Sequence, residues 1–117
     1  MRRGTLLAMS TPLAVVPVRA GVLPAGGAEA VAEAGGRVLL VGEAAPAAAA
    51  LLTGIATEVT AWDTPGYAPA AWTARLAPML ADEPLLLLPA SPDGRDLAPR
   101  LAASLERPLL AGAMTVA

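Results

Sequence analysis

Short apolar runs that alternate with alanine- and leucine-rich stretches set the tightest limit on how this chain folds. The runs cover residues 13–18, 37–41, 58–62, 84–88 and 108–111. The second and fourth are short and almost continuously apolar, as strands covered on both faces are. Between the runs lie residues 28–34, 46–52, 69–80 and 97–105, whose alanine and leucine content favours helix. Strand and helix alternating in this way is the mark of parallel strands joined by helical crossovers. The expectation is an α/β domain of three layers, with a mostly parallel five-stranded sheet and helices on both faces.

The punctuation between the segments agrees. Gly35 and Gly36 stand where the first helix needs a left-handed C-cap, Gly54 serves the second, and Pro46 suits an early helical turn. For the last helix, Asp96 is the expected N-cap, which would put Pro99 at the third helical position, where its missing N–H removes no internal bond. Leu97, Leu101 and Leu105 then repeat every four residues and face the sheet, while Arg100 lies off that stripe within reach of Asp96 or of a partner.

At 117 residues the chain is the size of one domain, and the connections are too short for a linker. Apolar residues make up 56% of it, yet no run approaches the roughly 20 needed to span a membrane. Arg2 and Arg3 precede a moderately apolar stretch in the manner of an export signal, but Pro12 and Pro17 interrupt it, and residues 13–18 read as a first strand. The chain is therefore expected to be cytoplasmic. Residues 1–12 are read as a disordered or start-site extension, with Met9 as an alternative start, and residues 13–117 as the domain. The eight basic residues are all arginines, scattered against a net charge of −2, which argues against nucleic acid.

The catalytic inventory is poor. With neither His nor Cys, the chain lacks the commonest general base, a thiolate nucleophile and soft metal ligands. Of the carboxylates, Asp93 and Asp96 lie close together at the carboxyl end of an expected strand, where a hard cation is the alternative to solvated side chains. Gly21 and Gly26 have P-loop spacing, but Gly27 and Ala28 stand where the lysine and hydroxyl belong, so turn and capping roles are favoured. Residues 91–96 (Ser91, Pro92, Asp93, Gly94, Arg95, Asp96) form a polar segment after a strand, where open α/β sheets hold ligands and partners. A plain turn with a cap is the other reading. Trp62, Tyr67 and Trp72 cluster around the third strand and the following helix, as core or as anchors of an interface.

The run Leu85-Leu86-Leu87-Leu88, the polar segment 91–96 and Pro99-Arg100-Leu101-Ala102 together resemble the amino-terminal domain of the electron-transfer flavoprotein alpha subunit. The likeness extends to Gly36-Arg37-Val38-Leu39-Leu40-Val41-Gly42, which looks like that family's second strand and glycine, and to Tyr67-Ala68-Pro69-Ala70 with the helix after it. It covers residues 13–116. Within the family, the run from Leu88 to Asp96 is most similar to actinobacterial alpha subunits associated with mycofactocin.

The resemblance implies a nucleotide-binding-like fold and a heterodimer. In that assembly FAD is held by a carboxy-terminal alpha domain, which this chain lacks, and a beta subunit packs against both alpha domains. A donor dehydrogenase and an electron acceptor complete the set of partners. The amino-terminal domain is then a scaffold and interface without catalytic, cofactor or metal residues of its own. Ser91, Asp93, Gly94, Arg95, Asp96, Arg100, Trp62, Tyr67 and Trp72 are its interface candidates. The alternative is a free-standing adenine-nucleotide-binding domain like the universal stress proteins, which the missing glycine-rich phosphate loop disfavours.

Overall fold

A strand buried along its whole length, β1 (Leu13–Val18), lies within the sheet. The computed structural model describes residues 11–110 and 114–117. In it, β1 pairs in parallel with β2 (Arg37–Gly42) on one side and with β4 (Leu86–Leu87) on the other. β3 (Glu58–Asp63) runs parallel to β2 and forms one border of the sheet. Past β4 lies an antiparallel pair, β5 (Leu109–Leu110) and β6 (Thr115–Val116), and the order is β3-β2-β1-β4-β6-β5. Among the described residues, four helices join these strands: α1 (Gly27–Glu33), α2 (Ala45–Ala49), α3 (Pro69–Leu80) and α4 (Pro92–Leu105). A 3-10 turn at Ala50–Leu52 extends α2.

Among the described residues the expected count of five strands is corrected to six. Thr115 and Val116 carry no periodicity of their own, and they become a strand because Leu86 and Leu109 both pair with Val116. This sixth strand is antiparallel to both neighbours, so the sheet is mostly parallel rather than wholly so. Residues 1–10 of the expected extension, and Ala111 of the fifth run, lie outside the described residues.

Alternation along β1 divides the core in two. Leu13 and Val15 join Leu39, Val41, Leu86 and Val116, together with Trp72, Leu76 and Leu80 of α3 and Leu97 and Leu101 of α4. Ala14, Val16 and Val18 join Val38 and Leu40, with Ala30 and Val31 of α1, Ala45 and Ala48 of α2, and Leu52. Alanine brings α1 and α2 near the strands but removes less apolar area from water per residue. The Leu- and Trp-rich cluster therefore carries more of the hydrophobic stabilisation.

The helix over Leu97 and Leu101 begins earlier than the sequence suggests. Its N-cap is Ser91, not Asp96: the Ser91 Oγ accepts from the Gly94 N–H at 3.1 Å, and the Ser91 carbonyl accepts from the Arg95 N–H at 2.8 Å. Pro92 takes the first helical position, which its fixed φ suits. Pro99 therefore falls in the helix interior, where it removes one backbone bond, and burial of Leu97, Ala98, Leu101 and Ala102 holds the helix across that break. Gly94 is required here, since a Cβ would overlap the Pro89 carbonyl oxygen. At the end of β2, Gly42 has φ 139°, and a Cβ would overlap the Val18 carbonyl, so glycine alone lets β1 and β2 close up.

The opposite end of the sheet is tied by Arg37. It forms a two-bond pair with Glu83, both at 3.0 Å, and reaches Glu58 at 3.2 Å. Its Nη1 also donates to the Thr11 and Pro12 carbonyls at 3.4 Å. The bond to Glu83, followed by the smaller effects of Glu83 and Glu58 charge, raises the Arg37 pKa against the opposing effect of burial.

Candidate functional site

The order of the sheet reverses at β1: β2 and β3 follow on one side, and the chain then crosses to β4 on the other. In open α/β sheets the crevice outside the carboxyl ends at such a reversal is the usual place for a ligand or partner. Here it is an open cleft of about 500 Å³ between the segment after β1 and the start of α4. Pro17, Val22, Leu23, Pro24 and Ala25 line one side, and Ser91, Pro92 and Asp93 the other.

The segment after β1 is folded into a tight reversal. Arg19 and Val22 exchange backbone bonds at 3.4 and 2.9 Å, with Ala20 at φ 52° and Gly21 at φ 75°. Positive φ at both central residues is the hairpin geometry that matches strand twist, and it is unfavourable for an alanine. The reversal leaves Val22 61% exposed at the mouth of the cleft. Arg19 reaches across to Asp93 with two bonds, Nε to Oδ2 at 2.6 Å and Nη2 to Oδ1 at 2.9 Å, and these bonds raise the arginine pKa. The cleft is thus apolar inside and rimmed by one ion pair.

A second layer of contacts ties that rim to α3. The Arg19 guanidinium lies 4.8 Å from the centre of the Tyr67 ring. The Tyr67 hydroxyl donates to Asp96 Oδ2 at 2.8 Å and lies 3.3 Å from the Asp93 carbonyl oxygen. Burial first, then the bond to Asp96, pushes the phenol pKa up. The same bond, followed by Arg100 at 3.3 Å, holds the Asp96 carboxyl below the ordinary range. Tyr67 packs edge-on against Trp72 at 5.1 Å, and Trp62 lies 6.5 Å from Trp72.

The structure therefore brings together Asp93, Asp96, Tyr67 and Arg100, with Trp72 beneath them. Trp72 is core: it is 2% exposed, and its Nε1 has no hydrogen-bond partner among the described residues. Trp62 is half-buried, with the Arg75 guanidinium 5.2 Å from its ring centre. Ser91 and Gly94 are buried and serve the helix cap, so they shape the surface without facing outward. Arg95 is exposed, and its Nε donates to the Ala90 carbonyl at 3.0 Å. The Asp93 and Asp96 carboxylates are taken up by Arg19, Tyr67 and Arg100. No group of three metal-ligating side chains occurs among the described residues.

Sequence reading missed Arg19 and Val22. Arg19 stands 74 positions from Asp93. The available signal was topological, since both residues follow strands that become neighbours at the reversal. No helix among the described residues is long and apolar enough to cross a membrane. No protein-family model, no curated protein and no solved structure matches this chain.

Proposed function

We propose that this chain is a docking module without catalytic residues of its own: the amino-terminal scaffold and interface domain of an electron-transfer flavoprotein alpha subunit. It would work in the cytoplasm as part of an FAD-dependent electron carrier. The reading adds a three-layer, nucleotide-binding-like arrangement to the observed α/β sheet. The observation that carries it is the cleft between β1 and β4. An apolar interior rimmed by the Arg19–Asp93 pair has the anatomy of a protein interface, with a hydrophobic centre and a polar edge. Further along α4, Arg95 and Arg100 are exposed and offer guanidinium groups for carboxylates of a beta subunit.

The position of the cleft also favours a second reading, an adenine-nucleotide site. The rim opposes it. Asp93 lies in the first turn of α4, where a phosphate would otherwise be drawn, and it takes up Arg19, the cation a phosphate would need. The same pair makes the cleft a poor fit for the pyrophosphate of FAD, so the flavin belongs to the separate carboxy-terminal alpha domain on this reading. Purified alone, the domain should be colourless. Co-expressed with an electron-transfer flavoprotein beta subunit and the flavin-binding alpha domain, it should co-purify in a yellow complex. Failure to assemble, or stoichiometric micromolar nucleotide binding by the domain alone, would overturn the proposal.

A further inference from the structure

Away from the cleft, β3 forms one border of the sheet, and no strand among the described residues pairs with its outer side. The inner bonds fix the direction of its backbone groups. The Glu58 N–H donates to the Gly36 carbonyl at 3.3 Å and the Thr64 N–H to the Gly42 carbonyl at 3.1 Å. Alternation along the strand leaves the N–H and C=O groups of Val59 and Ala61 directed outward.

Borders of this kind are commonly blunted by charged side chains, lysine above all, by proline or by a bulge. The carboxylates of β3 stand only at its two ends, Glu58 and Asp63; its centre, residues 59–62, carries no charge and no Pro, and the strand pairs one to one with residues 37–42 without a bulge. Every residue but Trp62 is exposed, with Val59 at 42% and the neighbouring Met79 of α3 at 61%. Two clefts of about 180 and 200 Å³ open between β3 and α3, each bordered by Thr60 and Met79.

We infer that β3 pairs antiparallel with β3 of a second copy of this chain, about a twofold axis at Thr60, so that two sheets become one. Backbone geometry restricts the register. Directly bonded pairs join outward-facing residues, so Val59 of each copy meets Ala61 of the other. Thr60 then faces Thr60, and Glu58 faces Trp62. Opposing Glu58 to Asp63 is excluded, because it would set an inward-bonded residue against an outward-facing one.

Charge selects among the registers that remain and argues for a second copy over an unrelated strand. Arg75 lies over the Trp62 ring, so facing Trp62 with Glu58 brings the Arg75 guanidinium beside the carboxylate of the other copy, which Arg37 of that copy holds by one oxygen while its side chain stays 68% exposed. Symmetry makes this contact twice. Centring the pair on Ala61 instead would place Glu58 opposite Thr64, away from Arg75. A second copy supplies that carboxylate by symmetry, whereas a strand of another protein would need an acidic residue at the matching position.

Analytical ultracentrifugation of the full chain at high-micromolar concentration should give twice the 11.6 kDa chain mass. Ala61→Pro removes an outward N–H that the sheet itself does not use, so the mass should halve while the far-UV circular dichroism of the folded chain is kept. The chain has no cysteine, so Thr60→Cys reports on the register. Facing residues there have Cα atoms about 4.5 Å apart, within disulfide reach. Mild oxidation should cross-link this variant, while Ser104→Cys, on α4, stays uncross-linked. A monomeric wild type overturns the inference, and so does a dimer in which Thr60→Cys fails to cross-link. Should Ala61→Pro prevent folding, the cross-link alone decides.

Discussion

Tyr67 donates its hydroxyl to Asp96 across 2.8 Å, joining the loop ahead of α3 to the second turn of α4. The bond holds the Asp96 pKa below its ordinary value and, with burial as the larger cause, raises that of Tyr67. A carboxyl whose folded pKa is depressed stabilises the fold above its unfolded value, near 3.9, and that contribution is lost as pH falls through the folded value. A phenol whose folded pKa is raised contributes below its unfolded value, near 10, and that contribution is lost as pH rises towards the folded value. Tyr67→Phe should therefore flatten both limbs of the stability profile, below about pH 4 and above about pH 10. Urea unfolding across pH checks this, and unchanged limbs would show that the bond does not persist in solution.

Beneath that turn, Leu101 is fully buried between α4 and the sheet. Leu101→Ala should lower folding stability by about 2–5 kcal/mol through the cavity it leaves. Gly94→Ala acts in the opposite sense, by overpacking: its Cβ would overlap the Pro89 carbonyl, at a cost of about 1–3 kcal/mol or more. Urea midpoints of the two variants test both figures.

Ala20 holds φ 52° in the reversal that presents Val22 to the cleft. A left-handed alanine costs about 1–2 kcal/mol. Glycine relieves that strain but gains about 0.4–1 kcal/mol of freedom in the unfolded chain. Ala20→Gly should therefore stabilise the domain by roughly 0.5–1 kcal/mol. A lowered melting temperature would mean that the reversal is not strained.

Much of this architecture was legible from residue patterns. The apolar runs gave β1, β2 and β3 to within one residue at either end, and α3 at both of its ends, because each is long enough to carry its own signal. Features made by distant pairing were not legible. β6 exists only through Leu86 and Leu109. The true start of α4 was hidden because Ser91, Pro92, Asp93 and Gly94 suit a turn as well as a capped first helical turn, and burial of Gly94 against Pro89 decides between them. At the site, Asp93, Asp96, Tyr67 and Arg100 were identifiable as a polar segment with nearby aromatics, and the Arg100–Asp96 contact follows from four-residue helical spacing. Arg19 was not identifiable, because its partner is set by strand order.

Docking at the cleft between β1 and β4 is the central claim, and calorimetric titration of the domain with an electron-transfer flavoprotein beta subunit tests it most directly. Val22→Glu places a charge at the cleft mouth and should weaken association by about 2 kcal/mol or more, while Arg95→Ala on α4 should cost about 1–2 kcal/mol. Neither should change the melting of the isolated domain much, since both side chains are exposed. The wild type should bind saturably, with affinity falling most for Val22→Glu and less for Arg95→Ala. No binding by the wild type, or equal binding by Val22→Glu and the wild type, rules out docking at this cleft.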